Sequence, residues 1–166
     1  MAAPSTARSV AGPLEPATQA FVDSLVGGKP IYTLSPGAAR DVLAAAQKSV
    51  SVTLAPASAE DRALNVGPQG RTNIRVYRPE NAEATLPAVI YTHSGGWVLG
   101  DRETHDRLVR ELVVGANAVV VFVDYDRSPE SRYPVAVEEE LCRAQVCGRA
   151  SSGVRRGCRP YRDRGR

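Results

Sequence analysis

The sequence is poor in several residue types, and each shortage removes a class of protein. It has one Trp, one Met and two Phe in 166 residues, and its basic end, residues 141–166, holds one aromatic, Tyr161, so no interleaved aromatics are available there for nucleic acid. It has two histidines, His93 and His105, and no cysteine before Cys142. Two histidines without nearby cysteines, and acids without ligand spacing, do not make a zinc site, so no metal is expected. No apolar run reaches the length of a membrane span. Residues 1–20 are rich in Ala, Pro, Ser and Thr and hold no apolar h-region, so the expected compartment is the cytoplasm. Lysine is also scarce: 2 Lys stand against 19 Arg.

What is present suits one ordinary domain. The chain is 43% hydrophobic and 23% charged, enough apolar content for a core and too little charge for a disordered chain. The net charge of +3 hides a division. Residues 1–140 carry 13 basic and 17 acidic side chains, a balance of −4. Residues 141–166 carry 8 Arg against Asp163, a balance of +7, and hold all three cysteines, Cys142, Cys147 and Cys158.

Residues 1–13 read as a loose leader. A helix is expected from Glu15 to Val26, with Phe21, Leu25 and Val26 on one face, stopped by Gly27, Gly28 and Pro30. A second starts at the N-cap Ser35 with Pro36 in its first turn, and runs through Ala39, Val42 and Leu43 to Lys48. Residues 50–59 read as irregular. Two short strands, Asp61–Val66 and Thr72–Tyr77, flank a turn at Gly67–Gly70. Alternation of Ile74 and Val76 with arginines predicts a half-exposed second strand.

The pattern then changes. Leu86–Tyr91 and Ala118–Val123 are continuous apolar runs. Between them lie a Gly-rich loop, 94–100, and an amphipathic helix, Thr104–Val114, expected to bury Leu108, Leu112 and Val113. Strand, helix and strand of this kind make a right-handed βαβ unit of a parallel sheet. Val135–Val137, followed by Glu138–Glu140, begins a further helix.

The stretch most charged with chemistry is Tyr91-Thr92-His93-Ser94-Gly95-Gly96-Trp97-Val98-Leu99-Gly100. It leaves the C-terminal edge of a parallel strand, where open α/β sheets bind ligands. Consecutive small residues there let backbone N–H groups face an anion or a developing oxyanion. The stretch resembles the His-Gly-Gly-Gly-Trp loop of the hormone-sensitive-lipase-type carboxylesterases of the α/β-hydrolase superfamily. A second segment, Asp124-Tyr125-Asp126-Arg127-Ser128-Pro129-Glu130 with Tyr133-Pro134, is similar to that family's Asp-Tyr-Arg-Leu-Ala-Pro-Glu run. The resemblance covers about residues 15–140.

It implies the N-terminal part of an α/β-hydrolase fold: cap-type helices over 1–52, a partial core over 53–140 with a β-hairpin and a βαβ unit, and an Arg-rich tail, 141–166. It implies an oxyanion loop at His93, Ser94, Gly95 and Gly96, with His93 organising the loop rather than acting as base. Trp97 would pack under the loop, Asp124 and Tyr125 would hold the following one, and Glu130 would support the site from behind. The substrate implied is a small acyl ester, hydrolysed through an acyl-enzyme without a cofactor. Ser94 stands where the family has Gly, and a positive φ there would cost roughly 1–2 kcal/mol. In the family the first two helices form part of a cap; simple packing on the sheet reads equally well.

That chemistry also needs a nucleophilic Ser on Gly-x-Ser-x-Gly, a general base and an acid. No such elbow follows Pro134, and no His follows His105. Thr92-His93-Ser94-Gly95-Gly96 mimics an elbow, but a true one needs a helix immediately after the Ser. The tail composition of Arg, Gly, Cys, Ala and Pro is what GC-rich DNA encodes in a wrong frame, so a frameshift just after Glu140 and a disordered tail are expected. The tail cysteines then read as accidental and its arginines as non-specifically sticky, with no specific nucleic-acid partner. In the family the nucleophile strand pairs beside the strand at Ala88–Tyr91. Without it that strand is an apolar edge that invites aggregation. The reading from another class is a small non-catalytic α/β module whose Gly-rich loop holds an anionic ligand or partner.

Overall fold

The computed structural model describes residues 12–24, 26–82 and 86–150. The expected leader over 1–11, Leu25 and the tail beyond 150 lie outside the described residues. Two compact units divide the chain at Thr33 and Leu34. The first holds helix α1 (Pro16–Ser24) and a short 3₁₀ turn, Ile31–Thr33. Phe21 and Val26 of the expected apolar face are exposed there.

The second unit carries α2 (Pro36–Lys48), β1 (Ala57–Leu64), β2 (Thr72–Pro79), β3 (Ala88–Thr92), α3 (Asp106–Ala116), β4 (Val119–Asp124) and α4 (Val135–Ala150). The Ser35 hydroxyl caps α2 by accepting from the N–H of Ala38. One sheet runs in the order β1-β2-β4-β3. β1 is antiparallel to β2, β2 is antiparallel to β4, and β3 is parallel to β4. The expected parallel pair is therefore β3 and β4, joined through α3.

Three expectations shift. β1 begins at Ala57, inside the stretch read as irregular, because it pairs with β2 from Ala57 opposite Pro79 to Leu64 opposite Thr72. β2 is not half-exposed. It lies between two strands, with Ile74 on one face and Tyr77 on the other both buried. α3 buries Val109 and Val113, whereas Leu108 and Leu112 stay exposed. Arg110 bonds Asp106 and the carbonyl of Ala57 on β1. That contact turns the 106/110 side of α3 toward β1 and leaves the leucines, on the opposite flank, uncovered.

The core has one cluster on each face. Tyr77, Val109, Val113, Val120 and Phe122, with Ala57, pack on the α3 side, and Tyr91 packs against them. Ile74, Val119 and Val121 pack on the other. Arg75 and Arg102 staple the strands to the turn before α3. Arg75 reaches Asp61 at 2.7 Å and Glu103 at 2.8 Å, and Arg102 lies 3.6 Å from both Asp61 and Asp124.

The two sheet edges differ. β1 carries exposed Glu60, Asp61 and Arg62, charges that discourage further pairing. β3 carries no charge. The carbonyl of Pro87 accepts from Val119 of β4, so by alternation Ala88, Ile90 and Thr92 turn their N–H and C=O groups outward. Val89 beside them is 46% exposed. A charge on this edge is expected to suppress self-association: Val89→Lys should give a larger monomer fraction by size exclusion with light scattering. Unchanged aggregation would place the sticky surface elsewhere.

Candidate functional site

The candidate site is built on the loop that leaves β3. Positive φ occurs at Gly95 (128°), Gly96 (60°) and Trp97 (60°), and not at Ser94. Ser94 therefore occupies its position without backbone strain. The non-glycine residue in the left-handed region is Trp97, which residue type alone did not mark. Gly95 is required: a Cβ there would stand 2.2 Å from the carbonyl oxygen of Leu99.

The loop spends its carbonyls and keeps its amides. Gly95 O accepts from the N–H groups of Val98 (3.2 Å) and Leu99 (2.9 Å), and Trp97 O accepts from Ser128 N–H at 2.8 Å. Val98 O accepts from Arg40, and Gly100 O from Arg127. Among the described residues, no acceptor takes the N–H groups of Gly95, Gly96 or Trp97. Three successive unpaired donors on a braced loop can hold a carboxylate or a developing oxyanion.

His93 is buried at the base of the loop. Its ring stacks on Tyr125 (4.1 Å between centroids, 6° between planes) and on Phe122 (5.4 Å, 5°). Its Nδ1 lies 2.9 Å from the carbonyl oxygen of Ser94, and the Tyr125 hydroxyl donates to the carbonyl of His93 at 3.1 Å. Burial pushes the imidazole below its ordinary pKa, which favours the neutral ring. His93 Nε2 is buried without a partner among the described residues. Gly100 backs this ring, since a Cβ there would come within 2.7 Å of His93 Nδ1. His105, expected on a helix surface, instead sits at the N-cap position of α3 without a side-chain capping bond, and tilts against Tyr91 and His93.

The remaining predicted residues divide. Tyr125 is buried and Asp124 half-buried, its carboxyl pushed up by burial. Trp97 does not pack under the loop: it is 57% exposed, because its left-handed backbone turns it toward solvent. Glu130 is exposed and binds Arg40 through both carboxylate oxygens at 2.8 Å, which holds its carboxyl down at about 2. No helix starts after Ser94, only the tight turn closed on Gly95 O, so the loop lacks elbow geometry.

Arg40 is the residue that sequence reasoning missed. Nε donates to Val98 O (2.8 Å), Nη2 to Ser128 O (2.7 Å), and both Nη atoms to Glu130. One side chain from α2 thus fixes the loop after β3 against the loop after β4. Its one sequence signal was an arginine beside Ala39, the buried position of α2.

Two clefts flank the loop. One, about 280 Å³ and almost wholly apolar, lies between Gly96 and Trp97 on one side and Tyr133, Pro134, Ala136 and Val137 on the other. The second, about 660 Å³, is lined by Ser94, Gly95, Leu99, His105, Leu108 and Leu43. No cluster of three or more metal-ligating side chains occurs among the described residues, and no helix there is long and apolar enough to cross a membrane. Loss of the Arg40 brace should be expensive: Arg40→Ala is expected to cost about 2 kcal/mol or more in urea unfolding, because charged hydrogen bonds to half-buried carbonyls go unmade. Glu130→Gln, at the exposed end of the pair, should cost clearly less. Equal losses would contradict the brace.

A family model described as alpha/beta hydrolase fold matches residues 89–151. The chain is 35% identical over 126 residues to an alpha/beta hydrolase of Acanthamoeba polyphaga mimivirus, covering 76% of this chain and 35% of that protein. It is 47% identical over 75 residues to Esterase LipI of Mycobacterium tuberculosis, covering 44% of this chain and 23% of that one. Among solved structures, a thermostable esterase from Pseudomonas putida superposes with TM-score 0.78 at 43% identity, over 84% of this chain and 44% of that one. A fungal esterase from Rhizomucor miehei superposes with TM-score 0.74 at 34% identity, over 86% and 45%. The chain thus spans less than half the length of the esterases it matches. With the sheet order, the loop after β3 and these likenesses in agreement, the chain belongs to the α/β-hydrolase superfamily, in its hormone-sensitive-lipase-type carboxylesterase branch, and corresponds to the N-terminal part of that fold.

Proposed function

We propose that these residues carry the oxyanion-stabilising part of a serine carboxylesterase site. The observation that supports this reading is the set of three unpaired N–H groups, Gly95 to Trp97, on a loop whose carbonyls are pinned. In ester hydrolysis a nucleophilic Ser adds to the acyl carbonyl, and negative charge gathers on its oxygen. Donors already aimed at that oxygen stabilise the charge without reorganising, an effect worth about 3 kcal/mol per donor in enzymes of this kind. The apolar cleft between Trp97 and Val137 suits a short-to-medium acyl chain.

The reaction needs partners that these residues do not supply. His93 turns Nδ1 to the Ser94 carbonyl and is buried between rings, so it supports the loop rather than moving a proton. Among the described residues the Ser94 hydroxyl bonds to neither histidine, so nothing activates it as a nucleophile. The chain by itself is therefore inactive in this reading. A frameshift fits the Arg- and Cys-rich composition of the tail, although both α4 and the matched span run beyond Glu140, to Ala150 and residue 151. Translating the gene in its other two frames tests that: a Gly-x-Ser-x-Gly elbow should emerge in one of them.

The same open donors favour a second reading, a module that binds a small carboxylate without chemistry. The two separate in one assay. With p-nitrophenyl butyrate and a serine-reactive phosphonate, the chain is expected to show neither turnover nor labelling. Stoichiometric labelling with turnover would contradict the absence of a nucleophile. Butyrate binding that survives deletion of residues 141–166 would favour the module and remove the tail from it.

A further inference from the structure

Glu139 is the largest buried acidic side chain among the described residues, 1% exposed on the inner face of α4. One carboxylate oxygen accepts from the N–H of Asp126 at 2.8 Å. The turn before β2 closes on its stem: a Cβ at Gly67 would come within 3.3 Å of Glu139 Cγ and 2.6 Å of the Thr72 hydroxyl. Glu139 thus joins three segments, the β1–β2 turn, the loop after β4 and α4 itself.

Among the described residues, the charged groups that act on it most strongly are acidic. Asp124 comes from the end of β4, Asp126 from the loop that follows and Glu140 from α4. From the β1–β2 turn its stem meets Gly67, which does not titrate. No cation pairs with Glu139 among the described residues; Arg102 lies against Asp124 and Asp61, and Arg127 against Asp101. Burial, with these acids beside it, pushes the Glu139 carboxyl up to about 7, and burial raises Glu140 as well. The fold therefore binds a proton that the unfolded chain releases near 4.5, and its stability falls as pH rises through that window.

We infer that Glu139 is a proton-dependent latch that seats α4 against the β1–β2 turn and the loop after β4, and that its ionisation frees the start of α4. The consequence falls on the apolar cleft. Its far wall is the start of α4, Pro134 to Val137, and its near wall is Gly96 and Trp97. An ionised Glu139 places a fourth carboxylate beside Asp124, Asp126 and Glu140 with no counter-ion among the described residues, a cost that withdrawal of the helix relieves. The cleft beside the open N–H donors is then closed when Glu139 is protonated and loosened when it is not.

Trp97 is the one tryptophan of the chain and lies in the cleft wall, so it reports the opening directly. Acrylamide quenching of Trp97 should rise about two-fold between about pH 5.5 and 8.5 in the unmodified chain, with a midpoint near neutrality. Glu139→Gln, which keeps the shape and cannot ionise, should show no such step. A flat profile in the unmodified chain overturns the latch. The same step in E139Q also overturns it, because a histidine or another acid would then be responsible. Should E139Q fail to fold, carboxyl carbon NMR of the unmodified chain decides: a Glu139 midpoint near neutrality, coincident with faster amide exchange at the start of α4, supports the latch, and a midpoint in the ordinary glutamate range overturns it.

Discussion

The loop after β3 keeps three N–H groups open while four of its carbonyl oxygens are held, and the Arg40 guanidinium ties it to the loop after β4. A loop of small residues is free to satisfy its own amides by turning inward, and most loops do. Here Gly95 O is closed by two N–H groups, Trp97 O by Ser128, Val98 O by Arg40 and Gly100 O by Arg127. The bonds to Gly95 O fix the peptide plane that carries the Gly96 N–H, and the bonds to Trp97 O and Val98 O fix the planes of the Val98 and Leu99 N–H groups that close the turn. The fork of Arg40 suits this because its donors keep a rigid geometry while reaching two backbone carbonyls and a carboxylate. Glu130 holds the far end of the fork in solvent and orients it.

The sheet supplies the platform. β4 is covered on both faces and pairs on both sides, so its end fixes Asp124 and Tyr125 in space. Tyr125 and Phe122 then hold the His93 ring as a plate under the loop, and Gly100 admits the ring by having no side chain. Polar contacts do the same job at the α3 side of the sheet, where Arg75 and Arg102 join β1 and β2 to the turn before α3. The open edge of β3 and the uncovered flank of α3 belong to one side of this platform. The longer esterases that superpose on this chain have more than half their length without a counterpart here.

Much of this was legible in the residues. Period-2 and continuous apolar runs located all four strands, and Ser35, Pro36 and the Gly-rich stretch marked the start of α2 and the site loop. What escaped were features set by tertiary partners. The first residues of β1, Ala57 to Ala59, read as irregular because they show no apolar pattern; pairing with β2 makes them a strand. Val113 is buried as expected, but Val109 joins it in place of the larger Leu108 and Leu112, because the bond of Arg110 toward β1 sets which flank faces the sheet. The positive φ at Trp97 has no residue-type signature, since a glycine is expected there and Ser94 drew the suspicion instead. Arg40 and Glu130 are ninety positions apart, beyond the reach of any local pattern.

The central claim, that a braced loop presents three free donors, is tested most directly by amide hydrogen exchange resolved along residues 94–99. Val98 and Leu99, bonded to Gly95 O, and Ser128, bonded to Trp97 O, should exchange slowly. Gly95, Gly96 and Trp97 should exchange near the rate of an open chain while their neighbours stay protected. Protection at Gly96 and Trp97 would mean that the donors are already satisfied. Equal fast exchange from residue 94 to 99 would mean that the loop is not braced, and either outcome would contradict the account.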